Sequence, residues 1–472
     1  MMQSYLRKIM WNQILQAMIK KHKIIVVILI LILFPVGCMV GPKYSKPEQQ
    51  KSDSYKNEKN LDSLANVTNL KWFDLFNDDV LKDLIKKGLE NNYDLKIAVS
   101  RIDQLRAELG YAKADLFPTF QYGATINSNE KNFTPSNAGA SMSWELDFWG
   151  KYRHENNAVQ AELLATEEAR KVVLSEIVTN IAVAYFQMRN LDEQLEITKS
   201  TLSTREKYYD IINQRFKNGY ISEVDKVQIE QQVAIAEAAI PNIQRQITFQ
   251  ENTIALLTGQ LPTEIPRGKS NTELRIVNEI PLSIPSALLE NRPDVKAAEL
   301  RYKAANERIG VAQAMRFPSL NLAAIAGFAS ADLSNLFLGS SYSQNASAGI
   351  AGPIFAFGKN KRRVEINRQQ AEQFKFIYQK TYIGAVSEVE QSIQNIKTYK
   401  EEWKARNRQV QAALINFNLS RERYDSGYVS YLEVLDVETN LFNAQLSLAQ
   451  LSERQLSSMV ELYKALGGGW NL

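Results

Sequence analysis

The chain contains one segment twice. Arg215-Phe216-Lys217-Asn218-Gly219-Tyr220-Ile221-Ser222-Glu223-Val224-Asp225 returns as Arg423-Tyr424-Asp425-Ser426-Gly427-Tyr428-Val429-Ser430-Tyr431-Leu432-Glu433, at an offset of 208 (427 − 219). Each copy reads as a helix stopped by a glycine and restarted at a serine cap. A chain of 472 residues would ordinarily divide into several unrelated domains. A repeat of this size restricts it to two copies of one long unit.

The elements on either side follow the same plan. Helical periodicity starts near Asp79, with Asn91-Asn92-Tyr93 as its one expected interruption, and stops at Phe117-Pro118. The period then changes to two, through Phe120, Tyr122, Ala124 and Ile126 and again through Ala140, Met142, Trp144, Leu146 and Phe148, which predicts a β-hairpin over 119–148. From Lys151 to Asn218 there is no proline or glycine, so a helix of about 100 Å is expected at roughly 1.5 Å per residue. A further helix runs from the Gly219 turn to Leu257, with a bend expected at Pro241. The second copy repeats this with a hairpin over 319–356, a long helix to Ser426 and a last helix to Leu466. The domain plan is a first repeat over 79–260, a proline-rich linker over 261–285, a second repeat over 286–467 and a short tail, 468–472. The returning helices match the long ones only when stacked in pairs. The expected protomer is therefore a rod of two continuous and two composite helices with four strands at one end.

Ahead of the repeats, Lys20-Lys21-His22-Lys23 precedes the apolar run Ile24–Phe34, and Pro35-Val36-Gly37-Cys38 follows. This is the pattern of a secretory signal over 1–37, too short to span a bilayer. Met18 offers an alternative start. Met39 to Leu70, within an N-terminal segment 38–78, is rich in Lys, Ser, Asn and Asp and reads as an extended, weakly structured strap. The leader carries five basic residues and no acid, so the formal charge of +4 becomes −1 (4 − 5) without it. Nothing in that balance argues for nucleic acid, and no nucleic-acid partner is expected. Cys38 is the only cysteine, and His154 the only histidine beyond the leader. Thiol pairs, multi-histidine metal sites and most nucleophile–histidine machinery are therefore excluded, and no catalytic residue, cofactor or metal is expected. The neighbours Arg153 and Glu155 make His154 read as part of a solvated helix surface.

Four strands cannot close a barrel, and open sheet edges cannot face lipid. Closure needs other copies: two would give eight strands and three would give twelve. Tyr122, Trp144, Phe148 and Trp149 rim the hairpin as an interfacial aromatic girdle would, although the core of a soluble sheet would also use them.

Several motifs, in order along the chain, carry a resemblance. They are Cys38-Met39-Val40-Gly41-Pro42-Lys43-Tyr44, Trp72-Phe73, Trp144-Glu145-Leu146-Asp147-Phe148-Trp149-Gly150-Lys151, Leu288-Leu289-Glu290-Asn291-Arg292-Pro293-Asp294-Val295, Phe317-Pro318-Ser319-Leu320 and Ala465-Leu466-Gly467-Gly468-Gly469-Trp470. Together they resemble the TolC-like outer-membrane efflux channels, and more closely the lipoprotein branch that serves resistance-nodulation-division pumps. The resemblance implies a mainly α fold with a small β part: a long-helix periplasmic α-barrel, plus four strands per protomer in a twelve-stranded transmembrane barrel shared by a homotrimer. It also implies lipidation (palmitate) at Cys38, a periplasmic adaptor (membrane fusion protein), an inner-membrane pump, outer-membrane lipid as surroundings and passive export of small molecules. A type I secretion conduit and a non-conducting, lipid-tethered coiled-coil scaffold are the alternative functions.

By the same resemblance, Gly219 and Gly427 turn the chain at the tunnel tip, and Asn218, Tyr220, Ser426 and Tyr428 meet the adaptor. Glu433 and Asp436 correspond to acidic rings at the entrance, and Asp225 to a latch between neighbouring helices. Val429 stands where some members carry arginine, which leaves Arg215, Arg423 or Tyr424 as candidate latch partners. Ser430-x-x-Glu433 also reads as a capping box, so Glu433 is open between cap and pore. The run Lys359-Asn360-Lys361-Arg362-Arg363 reads as a solvated or headgroup-facing band. Gly268-Lys269-Ser270 is rejected as a phosphate loop because Thr263 replaces the required glycine.

Overall fold

The computed structural model describes residues 39–48, 77–126, 136–274 and 292–468. Cys38 and Trp72-Phe73 lie outside them. The helices are α1 (Asp79–Asn91), α2 (Tyr93–Ala114), α3 (Lys151–Lys217), α4 (Glu223–Leu257), α5 (Pro293–Ala314), α6 (Lys359–Asp425) and α7 (Tyr431–Ala465). The strands are β1 (Thr119–Thr125), β2 (Ser136–Leu146), β3 (Ser319–Ser330) and β4 (Tyr342–Ala351). α3 and α6 each have 67 residues, and α4 and α7 each have 35. α4 runs unbroken through Pro241. No described helix is long and apolar enough to cross a membrane. The described residues divide into two compact units, one within 39–47, 104–126, 136–164 and 299–376, the other within 77–103, 165–274, 292–298 and 377–468.

The first unit holds the sheet, antiparallel throughout in the order β1-β2-β3-β4. Its register sorts the side chains by face, because successive residues of a strand point to opposite sides. Phe120, Met142, Ala324 and Ala346 form one cross-strand row, and Tyr122, Ala140, Ala326 and Gln344 another on the same face, which also takes Trp144, Leu146, Leu320, Leu322 and Phe328. The intervening rows carry Gln121, Ser141, Ser143, Asn321, Asn345 and Ser347, with Ile325 as the apolar exception. One face is thus apolar and the other is polar and small. Both outer strands are exposed along their whole length.

The Glu145–Lys151 motif closes the first hairpin through specific contacts. The Asp147 carboxylate accepts from the backbone N–H groups of Tyr152 and Arg153, both at 3.0 Å, and so caps α3. Glu145 accepts from Lys151 and the Tyr152 hydroxyl, each at 2.9 Å. Trp144 donates to the Leu116 carbonyl at 3.0 Å. Trp149 stacks on Phe317 with centroids 4.5 Å apart, lies edge-on to Phe148, and donates to the Pro318 carbonyl at 2.8 Å.

Residues 39–48, the described part of the strap, are extended as expected and are held on this unit by specific contacts. The Val40 N–H donates to the Trp149 carbonyl (3.1 Å), Asn306 donates to the Pro42 carbonyl (3.3 Å), and the Tyr44 hydroxyl donates to Glu299 (3.0 Å). His154 is not on a solvated surface. It is 4 % exposed, its Nδ1 lies 2.6 Å from a Glu307 oxygen, and a Cβ placed on Gly41 or Gly310 would lie 2.6 or 2.4 Å from its Nε2. Glycines at both positions leave the space that the ring fills.

The second unit has the larger core. Leu81, Leu84 and Ile85 of α1 pack with Ile177, Ile181, Tyr185 and Phe186 of α3, Tyr378 and Val389 of α6, and Val460 and Leu462 of α7. Fully burying each Leu or Ile contributes about 1.5–3 kcal/mol. Asn92 makes the predicted break: its N–H caps α1 on the Gly88 carbonyl, and its side-chain oxygen accepts from Asp94 and Leu95 at the start of α2. Gly268-Lys269 is likewise structural. Asp78 accepts from the Lys269 N–H and the Tyr185 hydroxyl, which in turn accepts from the Gly268 N–H. Burial pushes the Tyr185 hydroxyl far above its ordinary pKa. Arg292 joins Asp294, Glu388 of α6 and the Ala465 carbonyl of α7, which accounts for its place in the Leu288–Val295 motif.

Candidate functional site

The two repeated turns share one backbone solution. Gly219 and Gly427 have φ of 75° and 79°. In each, the glycine N–H donates to the carbonyl three residues back (Phe216, Tyr424) and the next N–H to the carbonyl five back (Arg215, Arg423), all at 2.9 Å. This is the Schellman closure, and it needs a left-handed residue. A Cβ on either glycine would meet nothing within 4 Å, so the dihedral alone selects glycine there. Asn218, Tyr220, Ser426 and Tyr428 flank the turns and are all exposed.

Behind the turns, α3, α4, α6 and α7 share a small core of Tyr208, Ile212, Ile229, Tyr424, Tyr431, Val434 and Leu435. Three tyrosine rings form its centre. The Tyr208–Tyr431 and Tyr424–Tyr431 centroids are both 5.6 Å apart, and Tyr208–Tyr424 are 6.4 Å apart. Val429 is half-buried and packs against this core. Burial raises the pKa of all three hydroxyls. The Arg215 guanidinium, 4.8 Å from the Tyr424 ring centre, opposes the rise at Tyr424.

The two serine caps of the repeats differ in their carboxylate contacts. Asp225 and Glu433 are equivalent under the 208-residue offset, both three residues past a serine cap. The capping box forms at Ser222–Asp225. It does not form at Ser430, whose side chain makes no cap hydrogen bond. The longer Glu433 side chain reaches back to α6 instead, accepting from Ser420 (3.2 Å) and Arg423 (3.1 Å). The counterpart of Ser420 in the first repeat is Ile212, which offers no donor. Asp436 is exposed, its carboxylate accepting from Asn440 at 3.4 Å.

One pair beside this site escaped the sequence reading. Arg205 of α3 and Glu438 of α7 meet at 3.0 Å with side chains only 2 % and 10 % exposed. Arg205 also donates to the Gln232 carbonyl of α4 at 2.9 Å. Burial raises the Glu438 pKa, and Arg205 opposes that rise. The signal was present: Glu438 interrupts the apolar stripe Val434, Leu435, Leu441, as Arg205 interrupts Tyr208, Ile212.

Residues 84–260 and 284–468 match the outer membrane efflux protein family. The chain belongs to that family. It is an outer-membrane channel component of a tripartite efflux system. Members work with an adaptor and an inner-membrane pump and form trimers. The solvent efflux pump outer membrane protein SrpC of Pseudomonas putida is 32% identical over 454 residues, covering 92% of this chain and 96% of that protein. The probable outer membrane lipoprotein SilC of Salmonella typhimurium is 30% identical, covering 95% and 99%. Among solved structures, CusC superposes with a TM-score of 0.81 at 29% identity over 91% of this chain and 100% of the other. The open state of the Neisseria gonorrhoeae MtrE channel gives 0.82 at 26% identity over 92% and 99%.

Proposed function

We propose that three copies of this efflux protein form one passive duct for small molecules, each adding four strands to a twelve-stranded barrel and its helices to a periplasmic tunnel. The observation that carries this reading is the sheet. It has one apolar and one polar face, and its two edge strands are exposed throughout. Lipid would accept the apolar face but not the open edges, and closure on neighbouring copies satisfies both. Each repeat, 79–260 and 286–467, supplies one hairpin and one helix turn.

The Gly219 and Gly427 turns form the duct's entrance in this reading. Asn218, Tyr220, Ser426 and Tyr428 are its adaptor-facing surface. Asp436, exposed on α7, lines the opening, where a three-fold axis makes a carboxylate ring that favours cations. Glu433 sits one helical turn away and steadies α7 against α6 through Arg423, while Asp225 sets the start of α4. Tyr122, Trp144, Phe148 and Trp149 mark the membrane boundary, and a lipid on Cys38 tethers the docked strap. Relatives named for solvent and for cation efflux match this chain over most of its length, and the polar sheet face with its many small residues suits a general conduit for the pump's substrates. Purified trimers should give discrete current steps in a planar bilayer. Trimers that insert and carry no current would favour the tethered-scaffold reading instead.

A further inference from the structure

The chain carries its own template for the joint between copies. Inside one copy, β2 of the first repeat pairs with β3 of the second: Met142 faces Ala324, Trp144 faces Leu322 and Leu146 faces Leu320. The turn after β2 then places Trp149 flat on Phe317, in the turn before β3. The remaining two edges are repeat counterparts of the same pieces. β4 with the turn 352–358 corresponds to β2 with 144–150, at the offset of 208. β1 with Phe117-Pro118 corresponds to β3 with Phe317-Pro318, at the offset of 200. The two hairpins obey these offsets: Thr119 faces Ser143, and their counterparts Ser319 and Ala351 face each other.

The apolar side chains at the open joint are bare where their counterparts are covered. Ile354 and Phe357 are 103% and 89% exposed, while Leu146 and Trp149 are half-buried. Phe120 and Tyr122 are 73% and 95% exposed, while Leu320 and Leu322 are half-buried. Phe357 is also the one described residue other than glycine with positive φ, at 45°. This combination of bare aromatics and an unpaired edge is what an interface lacks when its partner is absent.

We propose that β4 of one copy pairs with β1 of a second copy in the internal register, with Ile350 opposite the partner's Ala124 and Ala351 opposite the partner's Gly123. Phe357 then stacks on the partner's Phe117 as Trp149 does on Phe317. The pairing extends past β4, bringing Ile354 opposite the partner's Phe120. Pro353, which replaces Glu145, withholds one ladder hydrogen bond there. This proposal rests on the trimeric reading above and adds to it a register and an aromatic contact.

Cysteine pairs test the register in the full-length protein. Neighbouring opposed pairs alternate between hydrogen-bonded and non-hydrogen-bonded geometry, so two adjacent pairs sample both. Ile350→Cys with Ala124→Cys, and Ala351→Cys with Gly123→Cys, are compared with pairs slipped by two residues, Ile350→Cys with Tyr122→Cys and Ala351→Cys with Gln121→Cys. Single-cysteine variants control for Cys38. Oxidation should convert at least one in-register pair to covalent dimers and trimers and leave the slipped pairs as monomers on a denaturing gel. Cross-linking confined to the slipped pairs overturns the register. Trimers by native mass that cross-link at neither register overturn the joint, and place lipid or detergent on these aromatics, while leaving the trimer standing. A monomeric native mass overturns the trimeric reading itself. In a second measurement, Phe357→Ala should shift the dissociation temperature of the oligomer downward and Phe357→Trp should restore it. An unchanged temperature in the alanine variant removes the aromatic stack.

Discussion

Replacing Arg205 with methionine removes one partner of the buried ion pair that joins α3 to α7. The side chain it removes is 2 % exposed, makes two hydrogen bonds to Glu438 at 3.0 and 3.3 Å, donates to the Gln232 carbonyl, and lies 5.7 Å from the Phe442 ring. Methionine fills similar space but leaves Glu438 charged and buried without its partner. Breaking such a pair costs about 3–5 kcal/mol. That is roughly two to four powers of ten in the folded-to-unfolded ratio. The double variant Arg205→Met with Glu438→Leu removes both charges and should return to within about 1 kcal/mol of the parent. The pH dependence has a definite sign. Burial already holds the Glu438 pKa above its ordinary value, and loss of Arg205 raises it further. A raised carboxyl pKa penalises folding above that pKa, and the penalty fades as the pH falls through it. The deficit of the single variant should therefore be largest at neutral pH and shrink on acidification. Amide hydrogen exchange across α3 and α7, with denaturant midpoints, reads both effects. A single variant as stable as the parent, or a double variant as unstable as the single, would show that the buried pair does not couple α3 to α7.

Other outcomes follow from the same geometry. Gly310→Ala drives a methyl group to within 2.4 Å of the buried His154 ring and should cost about 1–3 kcal/mol, read as faster proteolysis of residues 39–48. Gly427→Ala forces a left-handed alanine and should lower stability by about 1–2 kcal/mol in a denaturant melt, although the added carbon touches nothing. Glu433→Ala breaks a half-exposed pair with Arg423 and should change stability by less than about 1 kcal/mol. Intact-mass analysis should find a lipid-modified mature chain beginning at Cys38.

The long elements were legible because their signals are local. A helix without breakers, a period of two and a glycine before a serine cap each act within a few residues. What the sequence concealed depends on distant partners or on side-chain reach. Arg205 and Glu438 lie 233 positions apart, and only a charge placed in an apolar stripe hinted at them. His154 was masked by Arg153 and Glu155, yet it continues the buried stripe Ala158, Ala161, Ala165 at helical spacing. Its ring is enclosed by Gly41 and Gly310, which no local pattern could pair with it. The two serine caps look alike in sequence. They diverge because Asp225 is short enough to fold back on Ser222, whereas Glu433 is long enough to reach Arg423.

If these turns form a conducting entrance lined by Asp436, the reversal potential of single channels under a salt gradient reports its charge. The parent protein should be cation-selective. Asp436→Ala should move the reversal potential toward zero and raise the resting conductance. An Asp436→Ala channel with the parent's selectivity and conductance would remove Asp436 from the entrance.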